Sequence, residues 1–311
     1  MAKQSLLTEA KANKKDEFYT QLKDIEKELA FYKEHFKNKT IYCNCDDPTK
    51  SNFVKYFLLN FKELEIKKIY ATSFSQTGHG LFFEYEGEPG IQVVLEDILR
   101  HTRELDGNGD FRSDECQRIM DDSDIIVTNP PFSLFREFFS NLIRKEKQFL
   151  IIGNVNSITY KEVFATLKDN RVWLGTGLGR WISGFIVPEH YDMYGTETEL
   201  NENGEKIIAT NDCLWLTNLD HKKRHEFIKL EKNYNPNDYP KYDNYDGINV
   251  NRTQNIPCDY FGAMGVPITF MDKYNPEQFE IIKFRKGDDE KDLRIDGKAP
   301  YFRILIKRRR A

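Results

Sequence analysis

At 311 residues, with 39% hydrophobic, 14% aromatic and 31% charged side chains, the chain can build one large or two ordinary domains with buried cores. No apolar run approaches the roughly 20 residues that span a bilayer, and the opening MAKQSLLTEAKANKKDEF is too polar for a signal peptide, so a cytoplasmic protein with no membrane contact is expected. The formal charge of -4 argues against a polyanionic partner for the chain as a whole, yet residues 219–311 hold 19 Lys and Arg against 15 Asp and Glu, a local +4 that leaves -8 for residues 1–218, and such a basic part can hold a polyanion locally.

In chain order, a polar lead-in gives way to YTQLKDIEKELAFYKEHF (19–36), where apolar residues recur at helical spacing. IYCNC (41–45) reads as a strand, DDPTK (46–50) as a turn, and SNFVKYFLLNFKEL (51–64) as a helix with Asp47 or Ser51 at its N-cap. KKIYAT (67–72) is a second strand, and GLFFEY (80–85) with GIQVVLED (90–97) a hairpin or strand pair. DIIVT (124–128) is a strand before the helix LFREFFSNLIRKE (134–146). QFLIIGNV (148–155) and KEVFATLK (161–168) are the next strand and helix. Strands alternating with helices predict an α/β fold with a largely parallel sheet, whose ligands gather at the carboxyl ends of its strands. Two conspicuous loops, CDDP (45–48) and NPPF (129–132), fall at such ends and predict one shared site. The five cysteines are scattered, odd in number and form no CxxC pair, which argues against a disulfide framework and a zinc site; Cys43 and Cys45 read as buried strand thiols.

The loop Asn129-Pro130-Pro131-Phe132 has a physical reading of its own. A residue before proline is pushed out of the helical region, so Asn129 and Pro130 are held extended, and neither proline has an N–H to pair. The corner therefore offers carbonyl oxygens, the amide oxygen of Asn129 as a further acceptor, and the ring of Phe132 as a flat apolar face. Two acceptors beside a stacking plate suit a planar group bearing an NH2. A ring amine is a poor nucleophile because its lone pair is delocalised. Acceptors on both hydrogens would turn the nitrogen toward tetrahedral geometry and aim the lone pair at a sulfonium methyl, with placement and fixed dipoles supplying most of the rate.

At these residues the chain resembles a known family. DIIVTNPPF is similar to the (D/N/S)PP(Y/F) motif of amino-methyltransferases that use S-adenosyl-L-methionine. DEFYTQ (16–21), IYCNCDDPTKSNFVKYFLLNF (41–61), GDFRSDE (109–115), TNPPFSLFREFF (128–139) and MGVPITFMDKYNPEQFEI (264–281) resemble, in the same order, the EcoRI-type DNA adenine-N6 methyltransferase family. The resemblance implies a Rossmann-like methyltransferase sheet with helices on both faces and a C-terminal target-recognition region. It assigns residues 1–218 to a catalytic domain and 219–311 to DNA recognition. It implies that Asp16, Phe18, Tyr19 and Thr20 close over the methionine part of the cofactor, and that Cys45, Asp46, Asp47 and Pro48 bind its methionine and ribose. Asp110 would accept from its adenine and Phe111 would pack on that base, while Asn129, Pro130, Pro131 and Phe132 are the catalytic corner. The 19 residues from Asp110 to Asn129 leave room for one helix and one strand. The first turn lacks the glycine-rich signature usual in this superfamily, and KKIYATSF ends without an acid for the ribose; Asp46 and Asp47 are the candidates to replace it.

The implied reaction is site-specific adenine-N6 methylation of double-stranded DNA, with the base flipped out of the stack, as in restriction-modification. Recognition is expected after about residue 170, from the polar stretch 195–211, from HKKRH (221–225) with Lys222, Lys223 and Arg224, from NVNRTQN (249–255) with Asn251 and Arg252, and from the basic C-terminus. GTGLGRW (175–181) has G-x-G-x-G spacing and reads as a mobile loop; Arg180 and Trp181 are its candidates for DNA. A cognate restriction endonuclease is a possible partner, and one active centre with its own recognition part permits a monomer. Two alternatives stay open: a methyltransferase acting on a protein glutamine amide or an RNA base, and a DNA-binding protein without turnover.

Overall fold

The structure is a computed structural model, and it describes residues 18–87, 95–177, 182–187, 198–201, 204–209 and 212–310. Asp16, Arg180, Trp181 and most of the expected strand GIQVVLED lie outside these residues. No helix among the described residues is long and apolar enough to cross a membrane. The described residues fall into two compact units, one drawn from 1–155 and 175–219, the other from 156–174 and 220–311.

In chain order the elements begin with β1 (Tyr19–Thr20), α1 (Leu22–Leu29), β2 (Thr40–Cys43), α2 (Asn52–Leu59), β3 (Lys68–Thr72), β4 (Leu81–Tyr85) and β5 (Thr102–Glu104). Next come α3 (Asp114–Asp121), β6 (Ile125–Thr128), α4 (Phe135–Arg144), β7 (Gln148–Asn154), α5 (Lys161–Lys168) and β8 (Trp173–Leu174). They are followed by β9 (Phe185–Ile186), β10 (Thr198–Leu200), β11 (Lys206–Ile208) and β12 (Cys213–Thr217). The chain closes with β13 (Lys241–Tyr242), β14 (Tyr245–Asn249), β15 (Ala263–Pro267), β16 (Phe279–Phe284) and β17 (Arg303–Arg308).

The main sheet of the first unit runs β5-β4-β3-β2-β6-β7-β12. Its centre is parallel: Ile41 sits beside Ile69 on β3 and Ile125 on β6, and Val127 beside Leu150 on β7. β4, β5 and β12 are antiparallel. The link from β3 to β4, residues 73–80, is too short for the dozen or more residues that a parallel crossover needs. Strands β2, β6 and β12 are buried at every residue, as expected for near-continuous apolar runs covered on both faces. From β2 the chain crosses to β3 on one side and later enters β6 on the other. The order therefore reverses between the carboxyl ends of β2 and β6, where open α/β sheets collect ligands.

The helix expected over 19–36 is shorter. Tyr19 and Thr20 pair with Ile186 and Phe185 of β9, Gln21 is extended at ψ 139°, and only Leu22–Leu29 is α-helical before a 3₁₀ turn at Lys33–Phe36. Strand pairing by β1 overrides the helical periodicity of its sequence. The helix and strand that the 110-to-129 spacing calls for are α3, capped by Ser113, and β6. A small sheet β1-β9-β11-β10 completes this unit.

The second unit is a five-stranded sheet, β13-β14-β15-β17-β16, with β14 and β15 parallel. Helix α5 packs on it through Phe164, whose ring centroid is 5.3 Å from that of Phe284. Much of the basic C-terminus is built into this sheet as β17, while Arg309 and Arg310 beyond it are exposed. Arg308 donates to the Cys258 carbonyl and lies 4.9 Å over the Phe261 ring, and Arg309 Nε donates to the Pro276 carbonyl at 2.8 Å.

Candidate active site

Between β2 and α2 the chain must reverse within a few residues. Cys45 does this in the left-handed region, at φ 64°, the backbone role that glycine takes where a glycine-rich turn is present. Its thiol donates to Asn44 Oδ1 at 2.7 Å, and burial, then the nearby Asp46, pushes that thiol well up, so it is no thiolate at neutral pH. Ser51 is the N-cap of α2, its hydroxyl accepting from the N–H groups of Phe53 and Val54 at 3.1 and 3.4 Å. Asp47, the other cap candidate, is half-buried and accepts from Thr49 N and Oγ1 at 2.9 and 2.7 Å, with Lys50 Nζ at 3.6 Å.

Asp46 is 6% exposed, and its carboxyl faces protein. Oδ1 accepts from Ser51 Oγ at 2.7 Å, Oδ2 lies 2.6 Å from Thr128 Oγ1, and the backbone N–H donates to Thr72 O at 2.9 Å. Burial raises its pKa to about 7. Asp46 thus joins the ends of β2, β3 and β6, and its carboxyl is engaged inside the protein.

Asn129 follows Thr128 directly. Its Nδ2 donates to Phe18 O at 2.8 Å, which fixes the amide, while Oδ1 is buried and has no partner among the described residues. Pro130 is buried, and among the described residues nothing donates to its carbonyl. The Pro131 carbonyl accepts from Leu134 N at 3.0 Å, so the corner closes straight into α4. Phe132 is half-buried, its ring 6.1 Å from Phe18 and 5.9 Å from Phe185. The apolar plate is one of three mutually supporting rings.

The segment before α3 is pressed against the end of β3. Ser75 N donates to Asn108 O at 2.8 Å and Gly80 N to Gly107 O at 2.9 Å. Gly109 stands at φ 79°, where a Cβ would come within 1.9 Å of Ser73 O, so only glycine fits. Asp110 is held by Arg112, Nε on Oδ1 at 2.8 Å and Nη2 on Oδ2 at 2.6 Å, and that guanidinium keeps the carboxyl below its ordinary range. Phe111 is 3% exposed and packs edge-on against Phe138 at 5.2 Å. Its ring is spent on the core, leaving the backbone and Asp110 at the rim.

Three segments named from the resemblance are tied together here: Asn129 reaches Phe18 O, Thr128 reaches Asn44 O, and Asn52 Nδ2 donates to Thr20 O at 2.8 Å. Each carries a buried polar atom without a partner among the described residues, namely Thr20 Oγ1, Asn44 Nδ2 and Asn129 Oδ1. Buried polar atoms are nearly always paired, so three orphans of mixed donor and acceptor type on one rim fit a polar ligand. Beside the first turn is a cavity of about 670 Å³, lined among others by Tyr19, Pro48, Asn52, Lys55 and Glu205, within the size range of small-molecule sites.

In the second unit the candidate DNA residues divide. Lys222, Asn251 and Arg252 are exposed, although Asn251 Oδ1 also accepts from Asn249 Nδ2 at 2.8 Å. Lys223 donates to Asp272 at 2.6 Å, and Arg224 lies 3.4 Å over the Trp173 ring and donates to Asn170 Oδ1 at 2.7 Å. Sequence reasoning missed Thr128, Ser51 as the partner of Asp46, and the Phe18 carbonyl. It missed Arg112 too, although GDFR puts that cation two residues past Asp110.

Residues 6–309 match the family described as Adenine-specific methyltransferase EcoRI. The Type II methyltransferase M.EcoRI of Escherichia coli is 57% identical over 99% of this chain and 98% of its own length. The Type II methyltransferases M.MgeORF184P of Mycoplasma genitalium and M.MpnI of Mycoplasma pneumoniae are 36% and 34% identical, each over 96% of this chain and 97% of their own length. No solved structure matches the chain.

Proposed function

The chain belongs to the EcoRI family of adenine-specific methyltransferases and is an adenine-specific Type II methyltransferase; from that premise we propose that its substrate is a specific adenine in double-stranded DNA, its methyl donor S-adenosyl-L-methionine, and its site of transfer the NPPF corner. The observation that carries this reading is the Asn129 amide: its NH2 is pinned on Phe18 O, and its Oδ1 is buried with no partner among the described residues.

When bound, S-adenosyl-L-methionine supplies a methyl group on a positively charged sulfur. Tyr19, Thr20, Cys45, Asp47 and Pro48 would hold it on one side. Asp110 would hold it on the other, since Arg112 and the Arg112 N–H leave part of its acceptor capacity free. Phe18 and Phe111 support these contacts from behind. Asp46 sets the turn and makes no ribose contact. Asn129 Oδ1 and the Pro130 carbonyl accept the two hydrogens of the target amine, so the nitrogen lone pair is freed from the ring and directed. Because Asn129 cannot rotate without losing Phe18 O, the acceptor is in place before the substrate arrives. Pro131 stiffens the corner, and Phe132 gives the extruded base a stacking face worth about 1 to 3 kcal/mol, against a flipping cost of a few kcal/mol.

The sheet is read as Rossmann-like, and residues 219–311 as the target-recognition region, with Lys222 and Arg252 on phosphates and Asn251 on a base edge. The enzyme is read as a monomer that shares its site with a restriction endonuclease. The test is labelled methyl transfer to duplex DNA, RNA and protein by wild type and Asn129→Ala. Label recovered as N6-methyladenine in duplex DNA, and lost in Asn129→Ala, is the expected result. Label in RNA or protein instead, or an undiminished variant, overturns the reading.

A further inference from the structure

In the second unit, neighbouring strands bury a chain of polar groups that ends at the surface. Arg303 opens β17 and is 9% exposed, yet among the described residues no carboxylate pairs with it. Its Nη1 donates to the Tyr301 carbonyl at 2.7 Å, its Nε to Asn249 Oδ1 at 2.9 Å and its Nη2 to Asn251 Oδ1 at 3.3 Å. Asn249, 3% exposed at the end of β14, also accepts from the Tyr242 hydroxyl at 3.0 Å and donates from Nδ2 to Asn251 Oδ1 at 2.8 Å. The strand between β14 and β17, β15, makes room with Gly265, where a Cβ would run into the Tyr242 hydroxyl. A guanidinium only donates, so the amide atoms facing it must be oxygens, and this one rule fixes both asparagines. Asn251 Oδ1 has both lone pairs taken, by Arg303 and by Asn249. Asn251 itself is exposed, and its free end is an NH2 from which no described residue accepts.

We propose that Arg303 is a positioning residue that locks Asn251 as a donor-only group, so that Asn251 recognises a base by its acceptor atoms in the major groove, guanine N7 and O6 best of all. The inference rests on the reading of residues 219–311 as the DNA-recognition region. An asparagine free to turn pairs with adenine through both ends of its amide, giving an N–H to N7 and taking the N6 amine on its oxygen. Asn251 has no oxygen to give, and an adenine or cytosine amine brought to it would set N–H against N–H. Guanine presents N7 and O6 side by side, acceptors for the two N–H groups of one NH2. The cation on the amide oxygen draws electron density from the NH2 and strengthens it as a donor. Burying a guanidinium among neutral acceptors costs stability that an apolar side chain would spare, so packing alone does not account for it. A phosphate accepts from many directions and gains nothing from an amide locked one way; its natural partner is the exposed, charged neighbour Arg252.

The methylated site is first read by sequencing N6-methyladenine in duplex DNA exposed to the full-length enzyme. Single-turnover transfer is then followed on duplexes varied one base pair at a time, for wild type, Asn251→Ala, Asn251→Asp and Arg303→Met, with circular dichroism as the check on folding. Asn251→Ala is expected to lose discrimination, by about tenfold, at one G·C pair only. A deazaguanine that lacks N7, placed there, slows wild type by a similar factor and Asn251→Ala not at all. Asn251→Asp turns the preference at that position toward cytosine, whose amine a carboxylate accepts. Arg303→Met relaxes the same position, and combining it with Asn251→Ala relaxes it no further, which a general loss of structure would not do. Should Arg303→Met fail to fold, the Asn251 variants and the base analogue decide. An even loss over all sequences with a shallower salt dependence, the mark of a phosphate contact, overturns the proposal. So does relaxation at an A·T pair instead, or discrimination that Asn251→Ala leaves unchanged. Failure of the DNA reading is distinguishable, because wild type then methylates no duplex at all, and the inference falls with it.

Discussion

Asn129 carries a donor and an acceptor on one amide, and the donor is already committed to Phe18 O. Its truncation therefore removes an aligned acceptor without opening the core. Asn129→Ala is expected to lower single-turnover methyl transfer by about 100- to 1000-fold, the usual cost of one preorganised polar contact to a transition state, while the melting temperature falls only as far as the lost hydrogen bond to Phe18 O, about 1 kcal/mol, requires. Asp46 predicts a pH effect whose sign is opposite to that of a salt-bridged carboxylate. Its folded pKa, about 7, lies above the unfolded value near ~3.9, so the folded chain binds the proton more tightly in between. The contribution of this group to stability then falls as pH rises from about 4 to about 7. Urea midpoints measured across that window are expected to drop less in Asp46→Asn than in wild type. The corner was legible in the sequence because two prolines leave the backbone little choice. The partners of Thr128 and Asn129 were not, since they stand 82 and 111 residues away and depend on the assembled sheet.

Among the elements, α2 and the loop before α3 are the ones that locate the site. Ser51 both caps α2 and donates to Asp46. Ser51→Ala is expected to cost about 1 kcal/mol for the cap, and about 2 in all once Asp46 loses a partner, read as a lower urea midpoint with an unchanged slope. Gly109→Ala is expected to be worse, because its Cβ would meet backbone at Ser73 and at a positive φ; the loss should appear first as weaker cofactor binding through a displaced Asp110. Central strands such as IIVT could be read directly, because a strand covered on both faces must be apolar throughout. The helix over 19–36 was over-read, because its first residues pair with β9, a strand late in the chain and invisible to local periodicity.

Across the molecule, charge is distributed less simply than the local +4 of residues 219–311 implies. Many of those cations are taken up internally, such as Lys223 on Asp272 and Arg224 on Trp173. Lys222→Ala and Arg252→Ala are each expected to reduce the slope of log affinity for duplex DNA against log salt by about 1. Lys223→Ala and Arg224→Ala are expected to lower the melting temperature and leave that slope in place. Composition could locate the basic part but not sort its members, because pairing is a property of the fold. The orientation of the Asn129 amide depends on an oxygen 111 residues earlier in the chain that belongs to the main chain of Phe18. Alanine scanning from 16 to 20 would leave that anchor untouched, whatever it did to the surrounding side chains. Only a change that moves the backbone itself, such as a deletion, a proteolytic nick or a tag that pulls β1 from its sheet, could unfasten it and leave a well-folded enzyme with an idle centre.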